Sequence, residues 1–114
     1  MRAMVAKAAR QPLVLEERPT PEPAPGELLL RVEACGVCRT DLHVIDGELA
    51  EPRYPIVPGH EVVGRIERLG AGLSGWRIGE RVGAPWMARV CGHCFYCDEG
   101  RENLCDHAAF RGYS

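Results

Sequence analysis

Residues 91–105 read CGHCFYCDEGRENLC, a segment in which four cysteines follow the spacing C-x2-C-x2-C-x7-C. Four thiolates held so close together can enclose one tetrahedral metal ion without leaving an open position. Because water and substrate cannot reach such an ion, the site is structural, and the free energy of metal binding becomes free energy of folding. The segment therefore predicts a cysteine-rich zinc-binding lobe over about 88–107, with the ligands Cys91, Cys94, Cys97 and Cys105.

Two other interpretations of this lobe are weaker. An iron–sulfur cluster also uses closely spaced cysteines, but the Cys-Pro ending is missing and no second set of cysteines follows. A zinc finger that binds a partner is disfavoured because the charges that flank the ligands are acidic rather than basic. We do not expect the nearby His93 and His107 to bind the metal, although either could replace a cysteine as a ligand.

The composition of the chain excludes several classes of protein. Its 114 residues are enough for one domain. The 14 basic and 16 acidic residues give a formal net charge of −2, so nucleic acid and anionic lipid are not attracted in general. No apolar run is long enough to span a membrane, and Lys7 and Arg10 interrupt any signal-peptide core. We therefore expect a cytoplasmic protein that binds neither nucleic acid nor membrane and keeps its thiols reduced.

Upstream of the lobe, the pattern predicts short strands separated by glycine and proline turns. A short helix is expected over 38–45, ending at Gly47, and 51–59 is expected to be a loop. In the strand at 27–34, apolar residues alternate with charged ones, as in a half-buried strand. The other expected strands lie around Met4–Ala8, Leu13–Glu16, 61–69 and Arg81–Ala84. Several short strands and turns indicate a mainly β fold, either a small barrel or a sandwich.

A second group of metal-binding residue types is dispersed along the chain. Cys35 and Cys38 form a CxxC pair, and His60 and Glu61 follow Gly59 where a proline loop meets a strand. A CxxC pair alone could be a redox site, but no thioredoxin-like βαβ pattern surrounds this one. A single histidine is more often an ordinary buried or surface residue, so only the position of His60 favours a functional interpretation.

With both groups of residues in view, the sequence resembles the zinc-dependent medium-chain alcohol dehydrogenases. The resemblance rests on ACGVCRTDLH (34–43), PGHE (58–61), GERV (79–82) and the whole cysteine lobe, in the family's order and at its usual separations. It covers almost the entire chain. It implies that residues 1–114 form the N-terminal GroES-like catalytic domain, a mainly β, partly open barrel with short helices and the cysteine-rich lobe.

The resemblance implies a role for each matching position of a catalytic zinc site. Cys38 and His60 match the first two ligands of that zinc, and Glu61 matches a carboxylate that can approach the metal. Thr40 matches the hydroxyl that touches the substrate oxygen and begins a proton relay. His43 matches the outer base of that relay.

Three further positions follow from the same resemblance. Arg39 stands where many members contact the pyrophosphate of the cofactor. Trp86 falls near the substrate pocket, although a plain core tryptophan is an equally good interpretation. Cys35 has no ligand role in the family, and we expect it to be a small buried residue.

The implied activity is the oxidation of small-molecule alcohols to aldehydes or ketones with zinc and NAD or NADP. The family's remaining cysteine ligand and its nucleotide-binding domain are not found in these residues. The GxGxxG at 70–75 is not a dinucleotide-binding motif. Such a motif opens a helix, and Gly79, Gly83 and Pro85 follow too soon for a helix to form. We therefore expect an inactive isolated chain whose partner is the missing C-terminal domain, and a homo-oligomeric full-length enzyme. The alternative is a stand-alone zinc module that binds a partner.

Overall fold

A computed structural model describes residues 1–49 and 52–113, which form short strands with few helices. No helix in this part of the chain has the length and apolarity needed to cross a membrane. Between the fourth and fifth strands, residues 70–80 form only turns, so the GxGxxG segment opens no helix, as predicted. The elements are β1 (Arg2–Val5), β2 (Val14–Glu17), β3 (Leu28–Gly36), α1 (Arg39–Asp46), β4 (Glu61–Leu69), β5 (Arg81–Ala84), β6 (Met87–Arg89), α2 (Phe95–Asp98), a 3-10 helix (Glu102–Leu104) and β7 (Ala109–Phe110).

The strands pair antiparallel in three small sheets. β1 pairs with β2, β3 and β5 flank β4, and β6 pairs with β7. Over residues 1–49 and 52–113, these sheets do not join into a closed barrel. The predicted mainly β, partly open architecture is therefore confirmed.

Helix α1 has clear sequence signals at both ends. The side chain of Asp41 accepts a hydrogen bond from the backbone N–H of Cys38 at 2.8 Å, which satisfies a donor at the start of the helix. Gly47 ends the helix with a φ of 69°, a left-handed conformation that favours glycine. The hydroxyl of Tyr54 donates to the carbonyl of Val44, and the N–H of Arg10 donates to the carbonyl of Ile45 at 2.8 Å. These bonds fix α1 against the loop that precedes β4 and against the segment that follows β1.

The hydrophobic core is small. Its largest fully buried side chains are Val5, Val44 and Ile66, which come from β1, α1 and β4. The prediction of a half-buried strand at 27–34 is wrong beyond Leu30, since Val32 is 57% exposed. The cause is a lack of cover: among the described residues, β4 is the only element that contacts β3 extensively, so no second layer packs on either face of the strand beyond Leu30.

Candidate metal centres

The four cysteines of the lobe converge on one point. Their sulfur atoms all lie within 4.8 Å of one another. The Sγ atom of Cys91 lies 3.6 Å from that of Cys105 and 4.0 Å from that of Cys97. A tetrahedral zinc ion with Zn–S bonds of about 2.3 Å requires sulfur separations of about 3.8 Å. The cage therefore fits zinc.

Burial of apolar side chains contributes little to the lobe. Its large apolar side chains point outward, with Phe95 67% exposed and Leu104 49% exposed, whereas the sulfur-bearing Cys105 is buried. Backbone N–H groups of Cys91 and His107 donate to the sulfur of Cys105 at 3.3 and 3.4 Å. The lobe is organised around sulfur rather than around an apolar core.

The electrostatics of the cage favour a cation. Backbone N–H groups of Cys97 and Asp106 lower the pKa of Cys94 to about 6. Burial, together with the neighbouring thiols, raises the pKa of Cys97 to about 12. Four thiolates this close repel one another, so full deprotonation at neutral pH requires a bound cation, and metal binding releases protons.

The dispersed ligands form a second, more open centre. The sulfur of Cys38, a ring nitrogen of His60 and a carboxylate oxygen of Glu61 all lie within 4.8 Å of one another. Cys38 immediately precedes α1, His60 immediately precedes β4, and Glu61 is the first residue of β4. A sulfur, nitrogen and oxygen donor set with room for a further ligand is typical of catalytic zinc sites.

Asp41 is a residue of this centre that the sequence analysis missed. Its side chain is only 9% exposed. One carboxylate oxygen accepts a hydrogen bond from the N–H of Cys38, and the other lies 2.9 Å from Nδ1 of His60. The geometry is not that of a good hydrogen bond, but the nearby negative charge favours a proton on Nδ1 and so leaves Nε2 as the nitrogen available to a metal. The signal that could have revealed it is the Cys38-x-x-Asp41 spacing, which is that of a capping box.

Charge coupling within the open centre favours the metal-binding form of the thiol. The backbone N–H of Thr40, followed by the ring of His60, lowers the pKa of Cys38. Burial by itself lowers the pKa of His60, but Cys38 and Asp41 outweigh it, and the net pKa is raised. Cys38 is thus biased toward the thiolate, which is the ligand form of cysteine.

A cavity of about 270 Å³ adjoins the open centre, and His60, Thr40 and Trp86 are among its lining residues. Trp86 stacks on Phe110 with ring centroids 4.7 Å apart. Because Trp86 is 48% exposed, its interpretation as a plain core residue is wrong. Thr40 also lies close to the ligands, with its Oγ1 atom 3.8 Å from the sulfur of Cys38.

The remaining candidate residues are not part of the ligand cluster. His43 pairs through Nδ1 with Glu48 and is not among the residues that line the described cavities beside the centre. Arg39 is exposed in the first turn of α1. The expectation that Cys35 is buried is wrong, since it is exposed near the end of β3, where no second layer from the described part of the chain covers either face of the strand.

Comparison with known proteins agrees with this geometry. Residues 24–113 match the family described as "Alcohol dehydrogenase GroES-like domain". The chain therefore belongs to the alcohol dehydrogenase GroES-like domain family, as the sequence motifs predict.

Individual relatives cover the chain almost completely. It is 45% identical over 115 residues to an alcohol dehydrogenase of Geobacillus stearothermophilus, covering 100% of this chain and 34% of the relative. A cobalt and zinc bound thermostable alcohol dehydrogenase from Pyrobaculum aerophilum superposes with a TM-score of 0.89 at 34% identity, covering 99% of this chain and 35% of that one. An alcohol dehydrogenase (rspB) from E. coli CFT073, complexed with NADH, gives a TM-score of 0.89 at 35% identity, covering 99% and 32%. The chain thus spans about a third of the length of the relatives it matches.

Proposed function

We propose that this chain is the N-terminal catalytic part of a zinc-dependent alcohol dehydrogenase that oxidises small-molecule alcohols to aldehydes or ketones with NAD or NADP. The observation that carries the proposal is the cluster of Cys38, His60 and Glu61 within 4.8 Å, beside a cavity lined by Thr40 and Trp86. A purely structural or partner-binding zinc module needs the cysteine cage but not a second ligand cluster at a cavity.

Two bound groups would complete the chemistry. Zinc at Cys38 and His60 supplies Lewis acidity toward an alcohol oxygen, and a nicotinamide cofactor supplies the hydride acceptor. Relatives bound to zinc and to NADH support this assignment. The cysteine cage would hold a second, purely structural zinc.

The chain's own residues would bind the alcohol and remove its proton. The Thr40 hydroxyl is near enough to the ligand cluster to accept the proton of an alcohol in the cavity. His43 follows three residues later on the same helix face and is partly exposed, so it can pass the proton to solvent. The stacked rings of Trp86 and Phe110 would contact the apolar part of the substrate and exclude water. Arg39 would offer its guanidinium to the cofactor pyrophosphate.

We further propose that residues 1–114 form one GroES-like domain of a longer enzyme. Its relatives are about three times longer, which leaves room for a C-terminal nucleotide-binding domain and a further cysteine ligand. The full-length enzyme would be a homo-oligomer in the cytoplasm. The chain alone would be inactive, because the hydride acceptor has no binding domain.

A domain graft tests the proposed function. Residues 1–113 would replace the matching third of the Geobacillus alcohol dehydrogenase, and alcohol-dependent reduction of the cofactor would be measured. We expect turnover by the graft, and a kcat lowered about 10²–10⁴-fold by Thr40→Val, because the first proton acceptor is lost. Cys35→Ala is the matched control and should leave the rate unchanged. A folded, zinc-loaded graft without turnover, or one unaffected by Thr40→Val, would contradict the proposal.

A further inference from the structure

Gly36 lies directly opposite Glu61 in the pairing of β3 with β4. A Cβ atom built on Gly36 would lie 2.5 Å from Oε2 of Glu61 and 3.2 Å from its Cβ atom. Both distances are shorter than ordinary van der Waals contact between such atoms. The carboxylate of Glu61 therefore occupies space that is free only because residue 36 has no side chain.

Backbone conformation does not explain the glycine at position 36. Gly47 and Gly59 have φ angles of 69° and 125°, where other residues are strained, but Gly36 does not lie in that range. Alanine could adopt the backbone of Gly36 without such strain. Position 36 must leave space for a neighbouring side chain. The nearest atom of that side chain is Oε2 of Glu61, a candidate metal ligand.

We propose that Gly36 is a positioning residue for the open metal centre, an inference that rests on the metal site of the proposed function. The missing side chain lets the Glu61 carboxylate remain within 4.8 Å of the ligand atoms of Cys38 and His60. The chain then offers a divalent cation three ligands instead of two. A methyl group at position 36 would turn the carboxylate away from the centre, because Oε2 ends a flexible side chain. The Cβ atom of Glu61 would need to move by only a few tenths of an ångström, so the fold would stay intact.

Cobalt(II) binding to the chain tests this inference directly. Cobalt is added to protein purified with one equivalent of zinc in the lobe, and a Cys38→Ser variant identifies the absorption that belongs to the open centre. Gly36→Ala should weaken cobalt binding about 10-fold or more, the range seen when a residue that orients metal ligands is lost. Gly83→Ala on β5 is the matched control, since a Cβ atom there meets nothing within 4 Å. Urea unfolding should show similar stability for both variants.

A double-mutant cycle separates positioning from general damage. Glu61→Ala should weaken cobalt binding as much as Gly36→Ala does, and combining the two should add nothing, because Gly36 acts through Glu61. Additive losses, or equal cobalt affinity of Gly36→Ala and the unsubstituted chain, would overturn the inference while leaving the proposed function standing. An unsubstituted chain that takes up no second cobalt ion would overturn the inference together with the metal site on which it rests.

Discussion

The lobe at 88–107 and the centre at Cys38 and His60 use similar ligands in opposite ways. In the lobe, one short segment supplies four sulfur atoms, and the apolar side chains Phe95 and Leu104 are turned to solvent. In the open centre, a helix start and a strand start supply three different donor atoms beside a cavity. We therefore expect the lobe to need a metal to fold, whereas the open centre stands on a helix and a strand that hydrogen bonds and packing hold.

The largest expected effect is on the stability of the lobe. Cys97→Ala removes one of four cage ligands, and structural zinc sites contribute about 10–16 kcal/mol of apparent binding free energy in small zinc domains. We expect the lobe to lose its fold, measured as rapid proteolysis within 88–107 and loss of the bound zinc. The control is Cys35→Ala, which removes an exposed cysteine that the cage does not use. A Cys97→Ala chain that still protects this segment from protease would show that the cage is not what folds the lobe.

An intermediate effect is expected when Asp41 is substituted, because its carboxylate contacts both the N–H of Cys38 and the ring of His60. Asp41→Ala removes both the acceptor for the Cys38 N–H and the carboxylate beside His60. Cobalt affinity at the open centre should fall about 10–100-fold, as is usual for residues that orient metal ligands. Loss of the helix-capping interaction should cost about 1 kcal/mol of stability. The zinc content of the lobe should not change, and if it did, the two centres would not be independent.

The smallest effect concerns the sheet that carries the open centre. Glu33 pairs with Arg65 and Arg81 at 2.8 Å each, linking β3, β4 and β5. Burial alone raises the pKa of Glu33, but the hydrogen bonds from the two arginines outweigh it and lower the net pKa. Because the pKa is lower in the folded state, the stabilisation is present above the unfolded-state pKa and disappears as the pH falls through the folded-state pKa.

Glu33→Gln should therefore lower the thermal midpoint slightly at pH 7 and make no difference in strong acid, where Glu33 is itself protonated. Glu67→Gln on β4 is the control, since Glu67 forms no ion pair within residues 1–49 and 52–113. A Glu33→Gln difference that persists undiminished at low pH would mean that packing, not charge, is responsible.

The sequence predicts local features of this molecule better than features made by tertiary contact. Cysteine spacing predicts the cage, and strand patterns predict the bounds of β4 and β5, because both depend on neighbours along the chain. The exposure of Cys35 depends on whether another element covers the end of β3, which the residue pattern of the strand itself does not record. The proximity of Cys38 and His60 was expected only through resemblance to a family. The buried contact of Asp41 with His60 joins α1 to the residue before β4. The capping pattern in the sequence predicts only the other contact of Asp41, with the N–H of Cys38.

Zinc content after exhaustive dialysis against EDTA tests the division between the two centres most directly. Three chains would be compared, namely the unsubstituted one, Cys38→Ala and Cys97→Ala, each also followed by thermal unfolding. We predict one zinc per chain, one zinc per chain and none, with Cys38→Ala melting close to the unsubstituted chain because the open centre adds little to folding. Two equally resistant zinc ions in the unsubstituted chain, or a Cys38→Ala chain as unstable as Cys97→Ala, would contradict the account.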